Sequence, residues 1–258
     1  MAHETPSEAA VSQPVSDIRV LGEPTSGTAL CLNASNMQTG KLFRFSRPCE
    51  GDYSVGLWRD PATGVADAVA ASSAFPPVLS PHTVRPPGRF DLSTAGEHRA
   101  GEFRERVWLS DGGVYGNLGF ETAWKRCRRI LVSDGGRPLE AEPAPQRNWA
   151  LHGVRVLEIV DSQVRALRKR QFVNCYQQGF RDGTYWGIRS EAADYHLGDP
   201  VAIPEADVTR ARSVKTRLSR LDDAAQRALI NWGYAIADTA IRRWADPNLA
   251  KPSRPPIP

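Results

Sequence analysis

The segment Arg104-Glu-Arg-Val-Trp-Leu-Ser-Asp-Gly-Gly-Val-Tyr-Gly-Asn-Leu-Gly-Phe120 constrains the fold of this chain more than any other. Val107, Trp108 and Leu109 read as the end of a short buried strand, and Asp111-Gly112-Gly113 as the sharp turn that follows. Two glycines directly after an acid let the backbone bend tightly and leave the carboxylate at the strand's carboxyl end. In open α/β sheets that edge is where ligands and catalytic groups collect. Taken alone, Asp-Gly-Gly is also an ordinary solvated turn, so its meaning depends on what accompanies it.

The flanking sequence supplies strands and helices around that turn. Residues 1–17, rich in Ala, Ser, Pro and Glu, show no periodicity and read as a disordered lead-in. Thr28 to Asn33 is a short apolar strand, and Lys41 to Ser46 alternates as the next, joined through Gln38-Thr39-Gly40 as a hairpin. Thr63 to Ser72 predicts a short helix with Val65, Ala68, Val69 and Ser72 on one face, stopped by Pro76-Pro77. Residues 80–102, rich in Pro, Gly and charge, read as a mobile surface loop inserted before the Asp111 strand.

Beyond Asp111, Leu118 to Arg129 predicts a helix with Leu118, Ala123 and Cys127 inward. Arg129 to Ser133 is then a buried strand ending in a second acid turn, Asp134-Gly135-Gly136. That strand–helix–strand order predicts a parallel sheet. Leu151, Val154, Leu157, Val160, Val164 and Leu167 recur at helical spacing up to a stop at Gly179, with Arg165, Arg168, Lys169 and Arg170 on the outer face. Ser219-x-x-Asp222 starts a last helix whose stripe is Leu221, Ala225, Leu229, Trp232, Ile236 and Ala240. The resulting organisation is one domain over 18–246 and a proline-rich tail over 247–258.

Composition narrows the function classes. At 258 residues, 41% hydrophobic and 24% charged, the chain has the makings of one large domain or two small ones. No apolar run approaches the roughly 20 residues of a spanning helix, and Met1-Ala-His-Glu-Thr-Pro has neither a basic nor an apolar signal region. Cys31, Cys49, Cys127 and Cys175 are widely spaced, with no Cys-x-x-Cys pair and no histidine at ligand spacing. This argues against a metal site or disulfide framework and predicts free thiols in the cytoplasm. The net charge of +4 permits attraction to anionic headgroups without requiring it.

Three motifs occur in a telling order: Asn33-Ala34-Ser35-Asn36-Met37-Gln38-Thr39-Gly40, then Ala71-Ser72-Ser73-Ala74-Phe75-Pro76-Pro77, then Asp111-Gly112-Gly113-Val114. The set resembles the patatin-like lipid acyl hydrolases, with their Asn-Ala strand end, their Ala-Ser-x-Ala-x-Pro turn and the Asp-Gly-Gly that carries the dyad aspartate. The likeness extends through Leu131 to Gly136, Gly183 to Ile188 and Asn231 to Ala235, spanning roughly residues 29–244. It implies an α/β fold, a three-layer patatin-like sheet flanked by helices. The family's Gly-x-Ser-x-Gly elbow and glycine-rich oxyanion loop lie upstream of the Asn-Ala strand, and neither occurs here. The nearest approach, Gly51-Asp-Tyr-Ser54-Val-Gly56, has one residue too many and stands on the wrong side of that motif. The expectation is therefore a patatin-like domain truncated at its N-terminus.

By this resemblance Asp111 is the dyad base, Gly112 and Gly113 shape its turn, and the nucleophile is missing. In a serine–aspartate dyad the carboxylate takes the serine proton directly, while backbone N–H groups hold the oxyanion. The chain is thus expected to be inactive alone, with a lipid or ester as substrate if complemented and no cofactor. A non-catalytic lipid- or protein-binding remnant is the alternative, and Ser54 is the first serine to test should hydrolysis occur. One departure lies close by: where the pattern often reads Asp-Gly-Gly-Val-x-Asp-Asn, Gly116 replaces the second acid before Asn117.

The other candidates read more plainly. His152 and His196 lack an elbow serine to serve, and Asp134 reads as a turn. The run Arg165, Arg168, Lys169, Arg170 reads first as a solvated helix face and second as a peripheral contact for anionic membrane surface. No aromatic residue interleaves with it, which argues against nucleic acid.

Overall fold

A computed structural model describes residues 30–98, 100–136, 139–145, 147–215 and 219–258. The expected lead-in over 1–17 lies outside them. The chain is mixed α/β and forms two compact units, Met1–Gly119 and Phe120–Pro258.

The first unit is built on a seven-stranded antiparallel sheet. Strands β1 (Cys31–Asn36), β2 (Lys41–Ser46), β3 (Cys49–Asp52) and β4 (Gly56–Arg59) follow one another as a meander. The expected hairpin between β1 and β2 is present: Asn36 faces Lys41 and Gly40 turns the chain at φ 68°. Helix α1 (Val65–Ser72) lies against β1. It buries Ala68 and Ala71, not Val65 and Val69 as periodicity suggested. The small alanines allow the helix to sit close to the sheet, which leaves Val69 at the rim.

The region 80–102 is more ordered than its composition predicts. It contributes β5 (His82–Val84), β6 (Arg89–Asp91), a 3₁₀ turn at Leu92–Thr94 and the single-turn helix α2 (Glu102–Glu105). Both strands are sheet edges, where flanking prolines such as Pro86 and Pro87 cost no ladder bond. Strand β7 (Val107–Asp111) inserts between β5 and β1. It buries Val107 and Leu109 and exposes Trp108, the alternation of a sheet with one covered face. Phe43, Phe45, Val55 and Trp58 join Val107 and Leu109 in one core under α1.

The short α3 (Gly112–Gly116) follows β7 directly, and the helix predicted over Leu118–Arg129 shrinks to the single turn of α4 (Glu121–Trp124), after Gly119 at φ 58°. Cys127, expected inward, is exposed. With no long crossover helix behind it, β7 gains no parallel neighbour. Its sheet is wholly antiparallel, and β8 (Arg129–Asp134) belongs to a separate sheet.

The second unit holds the parallel pairing instead. β8 runs beside β9 (Asp182–Gly187) in register Arg129↔Asp182 to Asp134↔Gly187, connected through the long helix α5 (Trp149–Gln177). Asn148 caps α5 by accepting from the N–H groups of Ala150 and Leu151, and the helix ends just before Gly179, as expected. Helices α6 (Glu205–Ser213) and α7 (Asp223–Ala240) pack through Val208, Ala211, Ala228, Trp232, Ile236 and Ala240. The proline-rich tail folds back: Asn231 donates to the Ile257 carbonyl at 2.8 Å and accepts its N–H at 3.0 Å.

Candidate active site

The three motifs that accompany one another in sequence converge around Asp111. β1 lies antiparallel to β7 with Ala34 opposite Asp111, which brings the Asn-Ala segment alongside the acid. The Asp111 N–H donates to the Ala74 carbonyl at 2.9 Å, and the Ser110 hydroxyl donates to the same oxygen at 3.1 Å. The Ala-Ser-x-Ala turn is thereby stitched to the strand end. Ser35 completes the junction, since its hydroxyl donates to the Asp111 carbonyl at 2.8 Å and accepts the Tyr115 N–H at 2.9 Å.

Asp111 ends β7 and caps α3. Its Oδ1 accepts the Gly113 N–H at 2.6 Å, so one carboxylate oxygen is fixed by the backbone of its own turn. The two glycines serve close approach. Neither has a positive φ, but a Cβ on Gly112 would overlap the Asn33 carbonyl oxygen, and one on Gly113 would overlap the Asn117 side chain. Glycine at 112 lets two backbone segments touch, and at 113 it leaves room for the Asn117 amide. Such a half-buried carboxylate at a strand end is equipped to take a proton from a hydroxyl brought to it.

The neighbouring serines have structural tasks. Ser35 and Ser110 are buried, and their hydroxyls belong to the stitching just described. Ser54 is buried too, donating to Asp52 Oδ1 at 2.8 Å. Asp52 also accepts the N–H groups of Ser54 and Val55 and the side chains of Asn36 and Thr39. The Gly51–Gly56 segment is thus the turn between β3 and β4, held by a buried aspartate that sequence reasoning missed.

The basic residues expected on one helix face divide into separate environments within the second unit. Arg165 and Lys169 look toward Asp134 and Tyr185. Arg168 stacks on Phe120 at 4.9 Å and donates to Gln171, and Arg170 donates to the Ala166 carbonyl. His152 and His196 are exposed. Asp134 repeats the local geometry of Asp111, its Oδ1 accepting the Gly136 N–H at 2.8 Å. Its Oδ2 accepts the Tyr185 hydroxyl at 2.6 Å. Burial and that carboxylate together push the Tyr185 hydroxyl pKa well above its ordinary range.

Among the described residues no helix is long and apolar enough to cross a membrane. The family model described as a patatin-like phospholipase matches residues 18–124, a span that contains all three converging motifs. No curated protein and no solved structure matches the chain.

Proposed function

From the match of residues 18–124 to the patatin-like phospholipase family model, we propose that this chain carries the acid half of a serine–aspartate lipid acyl hydrolase. Asp111 is the dyad base, and the chain is inactive without a nucleophile supplied by an elbow outside its 258 residues. The observation that carries this reading is the convergence of the Asn33, Ala71 and Asp111 motifs on one carboxylate held by its own turn. An incoming serine hydroxyl would lose its proton to Asp111 as its oxygen attacks the ester carbonyl. Gly112 and Gly113 keep the acid close to β1, and no cofactor is required.

The purified chain is expected to show neither fluorophosphonate labelling nor turnover of p-nitrophenyl butyrate above buffer, with Asp111→Asn leaving that baseline unchanged. Supplied with a Gly-x-Ser-x-Gly segment, read in frame upstream of the Met1 codon or from a separate cistron, it should hydrolyse esters. Asp111→Asn should then lower kcat by about a thousandfold or more. Labelling of a serine within this chain, with turnover lost in Asp111→Asn, would overturn the missing-nucleophile reading.

A further inference from the structure

The carboxyl ends of β8 and β9 open into a crevice of about 270 Å³ walled by α5. Its helical wall is formed by Ser162, Arg165, Ala166 and Lys169, spaced to fall on one face, with Ala166 leaving room between the longer chains. Asp134 and Gly136 enter from the end of β8, and Tyr185, Arg189 and Ser190 from β9 and the turn after it. Ligands in parallel α/β sheets collect outside the strands' carboxyl ends.

The charges in this crevice do not balance. Among the described residues that line it, Arg165, Lys169 and Arg189 stand beside one carboxylate, Asp134. Both Asp134 oxygens already accept bonds, one from Tyr185 and one from Gly136. Arg165 pairs with Asp134 at 3.9 Å and with Asp161 at 4.0 Å. Lys169 lies over the Tyr185 ring at 4.6 Å. Among the described residues neither Lys169 nor Arg189 meets a carboxylate within 4.0 Å. Gly136 maintains the arrangement, because a Cβ there would overlap the Arg165 guanidinium.

We propose that this crevice binds a phosphate group, held by the Arg189 guanidinium, the Lys169 ammonium and the Ser162 hydroxyl. Lys169 and Arg189, neither beside a carboxylate among the described residues, leave an excess of positive charge that suits a phosphate ester. A guanidinium fork and an ammonium are the side chains that recognise phosphate oxygens. The site lies wholly in the second unit and does not depend on the role assigned to Asp111.

The test uses the full chain and reads binding by calorimetry and by the rise in Tm that a ligand of the folded state produces. Inorganic phosphate and glycerol 3-phosphate serve as soluble probes. Co-sedimentation with vesicles of phosphatidylglycerol, against pure phosphatidylcholine, tests the headgroup source. Lys169→Gln and Arg189→Gln should each weaken binding about tenfold, the loss of one charge-assisted contact. Arg170→Gln should bind as the parent does, and melting without ligand reports whether each variant is folded. Saturable binding of soluble phosphate with those losses supports a small phosphoester as occupant. Binding confined to anionic vesicles, and lost in the same two variants, supports a lipid headgroup. Absence of binding in both arms, or binding indifferent to Lys169→Gln and Arg189→Gln, overturns the proposal.

Discussion

At Gly112 a Cβ would overlap the Asn33 carbonyl oxygen, whereas at Gly116, one helical turn further on, it would meet nothing within 4 Å. Gly112→Ala should therefore push β1 away from β7 and cost about 2 kcal/mol. Gly116→Ala should gain about 0.5–1 kcal/mol by removing a helical glycine. Urea unfolding followed by circular dichroism checks both signs. The missing second acid at Gly116 thus leaves open space in the fold. Glu50 carries a second prediction at this scale. Its side chain is buried, Thr63 donates to Oε1 at 2.9 Å, and Oε2 has no partner among the described residues. Burial holds the carboxyl above its ordinary value of 4.5, with Thr63 offsetting only part of this. Folding therefore favours the protonated form. Stability from this group is fully present below pH 4.5 and is lost as pH rises through the folded pKa. Glu50→Gln should raise Tm at pH 7 by about 3 °C per kcal/mol relieved, with no gain below pH 4.5, as thermal melts across pH would show. The turn at Asp111 was legible because its motif is explicit. Glu50 and Asp52 were not, because Cys49-Glu-Gly-Asp-Tyr53 reads as a polar loop until the strand places both carboxyls inside.

Among the elements, strands with regular alternation were read closely, and helices were phased unevenly: α7 buries Ala225, Trp232, Ile236 and Ala240 of its predicted stripe, whereas α1 turns Val69 outward. The Lys41–Ser46 strand has the expected bounds. The last helix begins later than the Ser219 signature suggested: Asp222 is its cap, its Oδ1 accepting the Ala225 N–H at 2.7 Å. Asp222→Ala should cost about 1 kcal/mol and Ser219→Ala nearly nothing, a contrast that thermal denaturation of the two variants would measure. The signature misled because Asp222 can close a capping box or cap a helix itself, and spacing alone does not choose between them. For α5, periodicity located the apolar stripe, yet Leu151, Leu157, Val160 and Leu167 remain exposed. A stripe records which face avoids water and is silent on what covers it.

Across the molecule, division into two units was not visible as a composition shift, because the break at Gly119–Phe120 falls inside a stretch of helical pattern. The paired acid turns show how far local signals reach. Asp111 and Asp134 make the same bond to the second glycine after them, and only their surroundings differ. One is stitched to β1 and the Ala74 turn, the other to a tyrosine and an arginine. Ser35 binds Asp111 and Tyr115 across separations of 76 and 80 positions, and those spans have a kinetic meaning. Closing a loop of that length costs about 2–3 kcal/mol more than closing the hairpin between β1 and β2, so the meander forms early from local contacts and the acid turn waits on long-range pairing. The carboxylate acquires its setting late, and a nascent chain halted before residue 107 would display the meander without the acid turn.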